Sequence, residues 1–361
     1  MTAPSIPGGT RRLSPEREVR ITAADLGQPF DIDLSLPATE RRPVAGLTKY
    51  YNLGLGAAVE GIARAAELGV PTVILRFVGK IKDRDAALAQ QAQALVTLRE
   101  QVGADALRYV VDPFNLALND NLSWGVLDED GQLRMPETIE LLSAIARTFG
   151  QAGVDGLLTL GRIESEVEVT RRELDRVNPR TKIYSFSQNS ETSTAYIYLD
   201  AGKAHDTGQK ILPGNCTEMT LRALADIWDG TDVCVVKPIE NFHLTLQLSE
   251  LLDSEWARVR FLDSDRIARL AERSPYLEGK VAQMRSEVAA MTRKCANVLV
   301  GGYDVSGTSY ALSLLEAQRG QSLARARLEE IWLNAAAASG TRRGPIIDRN
   351  AVPFLLGDGL C

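Results

Sequence analysis

A chain of 361 residues has room for one large α/β barrel or two ordinary domains, and 45% hydrophobic with 24% charged residues suits a globular enzyme. The formal net charge of −6 argues against nucleic acid or an anionic membrane as the main partner, and no apolar run approaches the roughly 20 residues of a membrane helix. Four cysteines (Cys216, Cys234, Cys295, Cys361) without metal-type spacing fit a reducing cytoplasm, and two histidines, His205 and His243, argue against a His-based zinc centre or a Ser-His triad.

The first stretch, Met1–Arg12, carries arginines but no apolar h-region, so no signal peptide is expected. Residues 1–26 read as an arm able to make an oligomer contact. Gln28–Leu36 alternates apolar and polar residues as a first strand does, Leu55–Leu68 is an Ala-rich helix stopped by Gly69, and Pro71–Val78 is a strong strand. A helix over Ala86–Val102 and a strand over Asp105–Asp112 follow. Pro136–Gln151 is helical by the spacing of Ile139, Leu142, Ile145, Ala146 and Phe149. Then come a strand at Gly156–Leu160, a helix at Glu164–Val177, a strand at Lys182–Ser187 and a helix at Thr217–Trp228 ended by Gly230. Beyond the strand that starts near Val233 lie a strand at Asn297–Tyr303, helices at Tyr310–Gln318 and Leu323–Ala338, and a weak last strand at Pro345–Ile347.

Strand and helix alternate about eight times, which predicts an α/β fold of the (β/α)8 TIM barrel type. About 45 residues between Leu251 and Asn297 exceed what one βα unit needs. Helical spacing over Asp263–Arg293 predicts two helices broken near Ser274–Pro275. The expected organisation is therefore an arm at 1–26 and a single barrel at 27–361. A helical insertion at about 252–295 precedes the seventh strand, as solvated decoration, lid or subunit contact.

The stretch Asp232–Asn241 carries the chemistry. Val233, Cys234, Val235 and Val236 form a buried strand that stops at Lys237, and Pro238 prevents it from running on. In such barrels the C-terminal strand ends form the mouth where chemistry occurs. A lysine there, with its stem against apolar walls, loses its proton more readily and attacks a carbonyl. The alternative is a rim lysine paired with an acid such as Glu240.

Five motifs in order resemble the porphobilinogen synthase (δ-aminolevulinic acid dehydratase) family: VVDPF at Val110–Phe114, GVLDEDG at Gly125–Gly131, KIYSFS at Lys182–Ser187, VVKP at Val235–Pro238 and YDVSG at Tyr303–Gly307. The resemblance runs from about Arg12 to Ala338. It implies the barrel fold and a homo-oligomer. It also implies a reaction in which two strand-end lysines each form a Schiff base with aminolevulinate to build a pyrrole. Lys237 matches the second lysine, and Ser306 matches a serine that helps hold substrate carboxylate beside it.

The other half departs from the family pattern. Where the family reads Tyr-Ser-Ala-Lys, this chain reads Tyr184-Ser185-Phe186-Ser187, so Ser187 stands in for the first lysine. Lys182, at the start of that strand, is expected to point to the wrong end of the barrel. Leu160-Gly161 and Glu164-Ser165-Glu166 replace acidic and arginine-bearing motifs. Arg108 replaces an aspartate, a lid arginine is replaced near Leu199, and Lys210 falls in the lid region as a candidate cation.

In the metal loop, Asp112 and Asp120 sit eight apart, in the manner of the family's aspartate pattern. Two carboxylates are few for Mg2+, so a structural role for Asp112 stands beside the metal role. No cysteine lies in this loop, so a zinc site of the cysteine type is not expected, and no cofactor is required.

Serine for lysine removes a nucleophile. The expectation is therefore a divergent lyase or dehydratase that binds a keto or amino-keto acid on Lys237 and catalyses condensation or dehydration in specialised biosynthesis. Lys237 and Ser187 are its catalytic candidates. Ser306, Gln188, Tyr184, Lys210, Tyr303, Glu164 and Glu166 are its substrate contacts, the two glutamates reading equally as a solvated helix start. Alternatives are a non-catalytic homologue serving as a binding or assembly subunit, and residual aminolevulinate dehydratase activity using Lys210. The expected partner is a small carbonyl or amino acid substrate, with no nucleic acid and no membrane.

Overall fold

Eight parallel strands close on themselves. The computed structural model describes residues 17–45, 47–119, 123–192 and 211–361, so Asp120, Leu199, His205 and Lys210 lie outside the described residues. The strands are β1 (Leu26–Ile32), β2 (Arg41–Pro43), β3 (Tyr51–Leu53), β4 (Thr72–Phe77), β5 (Arg108–Asp112), β6 (Gly156–Thr159), β7 (Lys182–Ser185), β8 (Val233–Val236), β9 (Leu299–Tyr303) and β10 (Arg343–Ile347). From β4 each barrel strand pairs in parallel with the next through β10, and β10 returns to β1 with Leu26 opposite Ile346. The short β2–β3 hairpin extends the end of β1, with Asp31 opposite Asn52.

The period-two alternation of strands divides the core into two layers. Ile74, Val110, Leu158, Tyr184, Val233, Val235, Tyr303 and Ile347 fill the barrel interior. Their neighbours Val73, Leu75, Val111, Leu157 and Ile183 face the surrounding helices. The helices are α1 (Leu55–Glu67), α2 (Arg84–Val102), α3 (Met135–Gln151), α4 (Glu166–Val177), α5 (Cys216–Asp229), α6 (Phe242–Asp253), α7 (Glu255–Leu262), α8 (Asp265–Ala271), α9 (Pro275–Ser286), α10 (Val288–Cys295), α11 (Ser306–Arg319), α12 (Gln321–Ser339) and α13 (Ala351–Leu356). Gly230 ends α5 at φ +112°, a left-handed conformation that glycine adopts without steric cost. Among the described residues no helix is long and apolar enough to cross a membrane.

Two expectations change. The segment before β9 holds four helices, α7 to α10. Besides the break at Ser274, whose hydroxyl accepts from the Leu277 amide at 3.1 Å, the chain breaks at Asp263–Ser264 and at Glu287. These helices bury Leu262, Ile267, Val281 and Met291 against α5 and α6 in a core of their own. The helix expected to start at Tyr310 begins at Ser306. Its first turn, Ser306-Gly307-Thr308-Ser309, has no apolar residue to mark a helical period. The hairpin and α13 were not expected at all. Both are too short to carry a period.

Candidate active site

Lys237 leaves β8 at the C-terminal mouth, and the Lys237–Pro238 peptide is cis. Its amide donates to the Gln188 carbonyl at 3.0 Å, and its own carbonyl accepts from the Ser190 amide at 2.9 Å, so the chains leaving β7 and β8 are tied side by side. The amine lies against a pair of rings, with Nζ 5.3 Å from the Tyr303 centroid and 5.5 Å from the Phe186 centroid. Those rings meet edge to face at 5.5 Å. Burial lowers the Lys237 pKa to about 8; Arg76 and Arg349 push the same way, while Asp112 and Asp304 oppose them. An amine so placed is partly neutral near physiological pH and can attack a carbonyl. Glu240, the acid considered as its rim partner, accepts from Thr308 Oγ1.

Around the amine lies a charged floor. Arg76 Nη1 is 3.3 Å from Asp31 and its Nε 3.7 Å from Asp112. Arg349 Nη1 donates to Asp304 Oδ2 at 2.7 Å, and Ser309 Oγ donates to the same oxygen at 2.8 Å. Both members of the Arg349–Asp304 pair are almost wholly buried. Ser306 is fully buried at the first turn of α11, two residues beyond Asp304. Asp348, pushed up to about 7 mainly by burial, accepts from Trp332 Nε1 at 2.9 Å.

Ser187 stands on the other side of the β7 chain. Its hydroxyl and that of Ser185, 2.6 Å apart, both donate to Asp226 of α5, Ser185 at 2.6 Å. Burial raises the Asp226 carboxyl to about 8, against the lowering effect of Ser185. Ser187 also lines a cleft of about 490 Å3 with Phe186, Asn189, Gly161, Arg162, Glu164, Arg222 and Tyr276. Glu164 sits in this cleft and accepts from Ser274 Oγ at 2.8 Å and Arg222 Nη1 at 3.4 Å.

Several expected contacts are corrected. Tyr184 points to the N-terminal end of the barrel, where it lines a cavity with Arg108, Lys182, Asp232 and Arg343. Lys182 Nζ bonds Asp232 there at 2.8 Å. Gln188 turns outward, its Nε2 at 3.4 Å from Thr220 of α5. Glu166 is buried and accepts the amides of Leu160 at 2.7 Å and Arg162 at 3.0 Å, so it holds the loop after β6 instead of facing substrate. Asp112 accepts the Phe114 amide at 3.0 Å and faces Arg76. Among the described residues no group of three His, Cys, Asp or Glu side chains is placed to hold a metal. Asp112 is thus committed to Phe114 and Arg76, and its expected partner Asp120 lies outside the described residues.

Sequence reading missed Asp226, Arg76, Asp304 and Arg349. Asp304 lay within the YDVSG motif and was open to notice. Arg349 and Asp226 carry no local signal, because each meets its partner across neighbouring strand ends or across a layer.

Fold and site together define a (β/α)8-barrel protein with a desolvated lysine at its C-terminal mouth. The family model described as Delta-aminolevulinic acid dehydratase matches residues 10–246, and the chain belongs to that family. The delta-aminolevulinic acid dehydratase of Synechococcus elongatus is 25% identical over 241 residues, covering 63% of this chain and 72% of that one. The Bacillus subtilis protein is 24% identical over 239 residues, covering 62% and 70%. The crystal structure of the Toxoplasma gondii enzyme, solved with its product porphobilinogen, superposes with a TM-score of 0.69 at 18% identity, covering 94% of this chain and 86% of that chain. The family-model match ends within α6, before α7 to α10.

Proposed function

We propose that this protein is a lyase that binds a keto or amino-keto acid as a Schiff base on Lys237 and carries out a condensation or dehydration through the imine. The observation that carries this reading is the Lys237 amine, desolvated against Phe186 and Tyr303 at the barrel mouth. A neutral amine adds to the carbonyl and loses water, and the protonated imine then withdraws electrons from the adjacent carbon. Ser306 orients the bound acid, and a second reactant occupies the Ser187 cleft without a covalent anchor, which suits a specialised biosynthetic product.

Family membership favours a second reading, the parent condensation of two aminolevulinates. Ser187 at the first lysine position weighs against it, and Lys210 is a cation it could recruit. A non-catalytic subunit is the third reading; the environment of Lys237 opposes it, since folding of a barrel requires no lysine at the mouth. With the leading reading go a cytoplasmic location, a homo-oligomer and a reaction that needs no added metal.

Incubation with aminolevulinate and with short oxo acids under borohydride tests it. Adduct mass on Lys237, absent from Lys237→Ala, is expected. Pyrrole formation from aminolevulinate decides for the parent reaction, and failure to trap any carbonyl compound removes the Schiff-base reading.

A further inference from the structure

Successive residues of the β7 chain face opposite ways, and this alternation splits the site. Ser185 and Ser187 turn toward α5 and share Asp226. Phe186 turns inward with Tyr184 and joins the interior cluster that holds Tyr303. One side of its ring faces the Lys237 amine at 5.5 Å, and its edge-to-face contact with Tyr303 closes the remaining gap. Phe186 also forms part of the cleft wall beside Ser187, and Lys237 is not among the described residues of that wall. A buried ring touching both compartments is a partition between them.

We propose that Phe186 is a specificity-determining residue: its ring separates the Lys237 amine from the Ser187 cleft and limits the carbonyl compound on Lys237 to one with a short, unbranched side chain. The proposal rests on the Schiff-base reading of Lys237. The size limit follows from the Phe186 and Tyr303 rings, which meet edge to face and together wall one flank of the amine. A branched or aryl side chain on the carbonyl compound meets the Phe186 ring before its carbonyl reaches Nζ.

The test follows, by peptide mass spectrometry under cyanoborohydride, the rate at which pyruvate, 4-methyl-2-oxopentanoate and phenylpyruvate become fixed to Lys237. Wild type is compared with F186L and F186A. The wild type is expected to take pyruvate at least about tenfold faster than phenylpyruvate, F186A to bring the two within about threefold, and F186L to fall between, the scale on which a pocket discriminates by bulk. An unchanged ratio in folded F186A overturns the partition. Should F186A not fold, an unchanged ratio in F186L overturns it equally. Failure of all three acids to label the wild type removes the Schiff-base reading and the partition with it, whereas labelling of every protein at one common ratio removes the partition alone.

Discussion

The Ser187 hydroxyl donates to the Asp226 carboxyl, so this serine is held by an acid from α5 and not directed at Lys237. Burial raises that carboxyl to about 8, far above the ordinary carboxylate range, and the fold therefore prefers its protonated form. Below the unfolded pKa of about 4 both states carry the proton and the preference costs nothing. Between about pH 4 and pH 8 the unfolded chain gives up its proton first, and stability falls; above the folded value the loss is complete. Asp226→Asn is expected to flatten this decline, so that its advantage over wild type grows from pH 5 to pH 8. Chemical denaturation at several pH values checks it, and parallel curves for the two proteins contradict it.

A second expectation concerns the Lys237 amine. With a pKa of about 8 it is neutral in roughly a quarter of molecules at pH 7.5, against about one in a thousand for an unperturbed lysine. Adduct formation should rise through pH 8 and level off above it. Arg76→Met removes the largest charge effect that lowers this pKa and leaves Asp31 and Asp112 unopposed. The midpoint in that variant should move upward, with slower labelling at pH 7.5. A pH–rate profile corrected for the reagent's own protonation measures both; a midpoint that stays put contradicts the role of Arg76.

The Arg349–Asp304 pair joins the turn after β9 to the turn after its neighbour β10. Removing one member of a buried pair leaves an uncompensated charge, at a cost of about 3–5 kcal/mol. Arg349→Met should lose stability on that scale, and Asp304→Asn in the same chain should restore much of it. A urea denaturation cycle of the two single variants and the double variant checks this. Additive losses count against the pair acting as a unit.

The barrel was legible because its signal is local and repeated. The run of Val233, Cys234, Val235 and Val236 into Lys237-Pro238 marks a buried strand and its end, and Gly69 and Gly230 mark helix stops. Lys182 was placed at the far end of the barrel from its position at the start of its strand, and there it bonds Asp232. Gln188, Tyr184 and Glu166 were misplaced because nearness in sequence to Ser187 or Lys237 says nothing of side-chain direction. The side chains of Tyr184 and Gln188 leave the β7 chain toward the barrel floor and the α5 layer, and Glu166 spends both its oxygens on backbone amides of its own loop.

By itself the sequence determined the alternation of strand and helix, the interruption before β9, and a lysine at the end of β8. Each is written in the order of side chains along a few residues, where hydrophobic period and backbone constraints act locally. Only the tertiary structure decided the surroundings of that lysine: which rings flank it, which arginines lower its pKa, and that Ser187 turns away to Asp226. Those relationships join residues up to hundreds of positions apart and depend on barrel closure, which sets the direction of every side chain at the mouth.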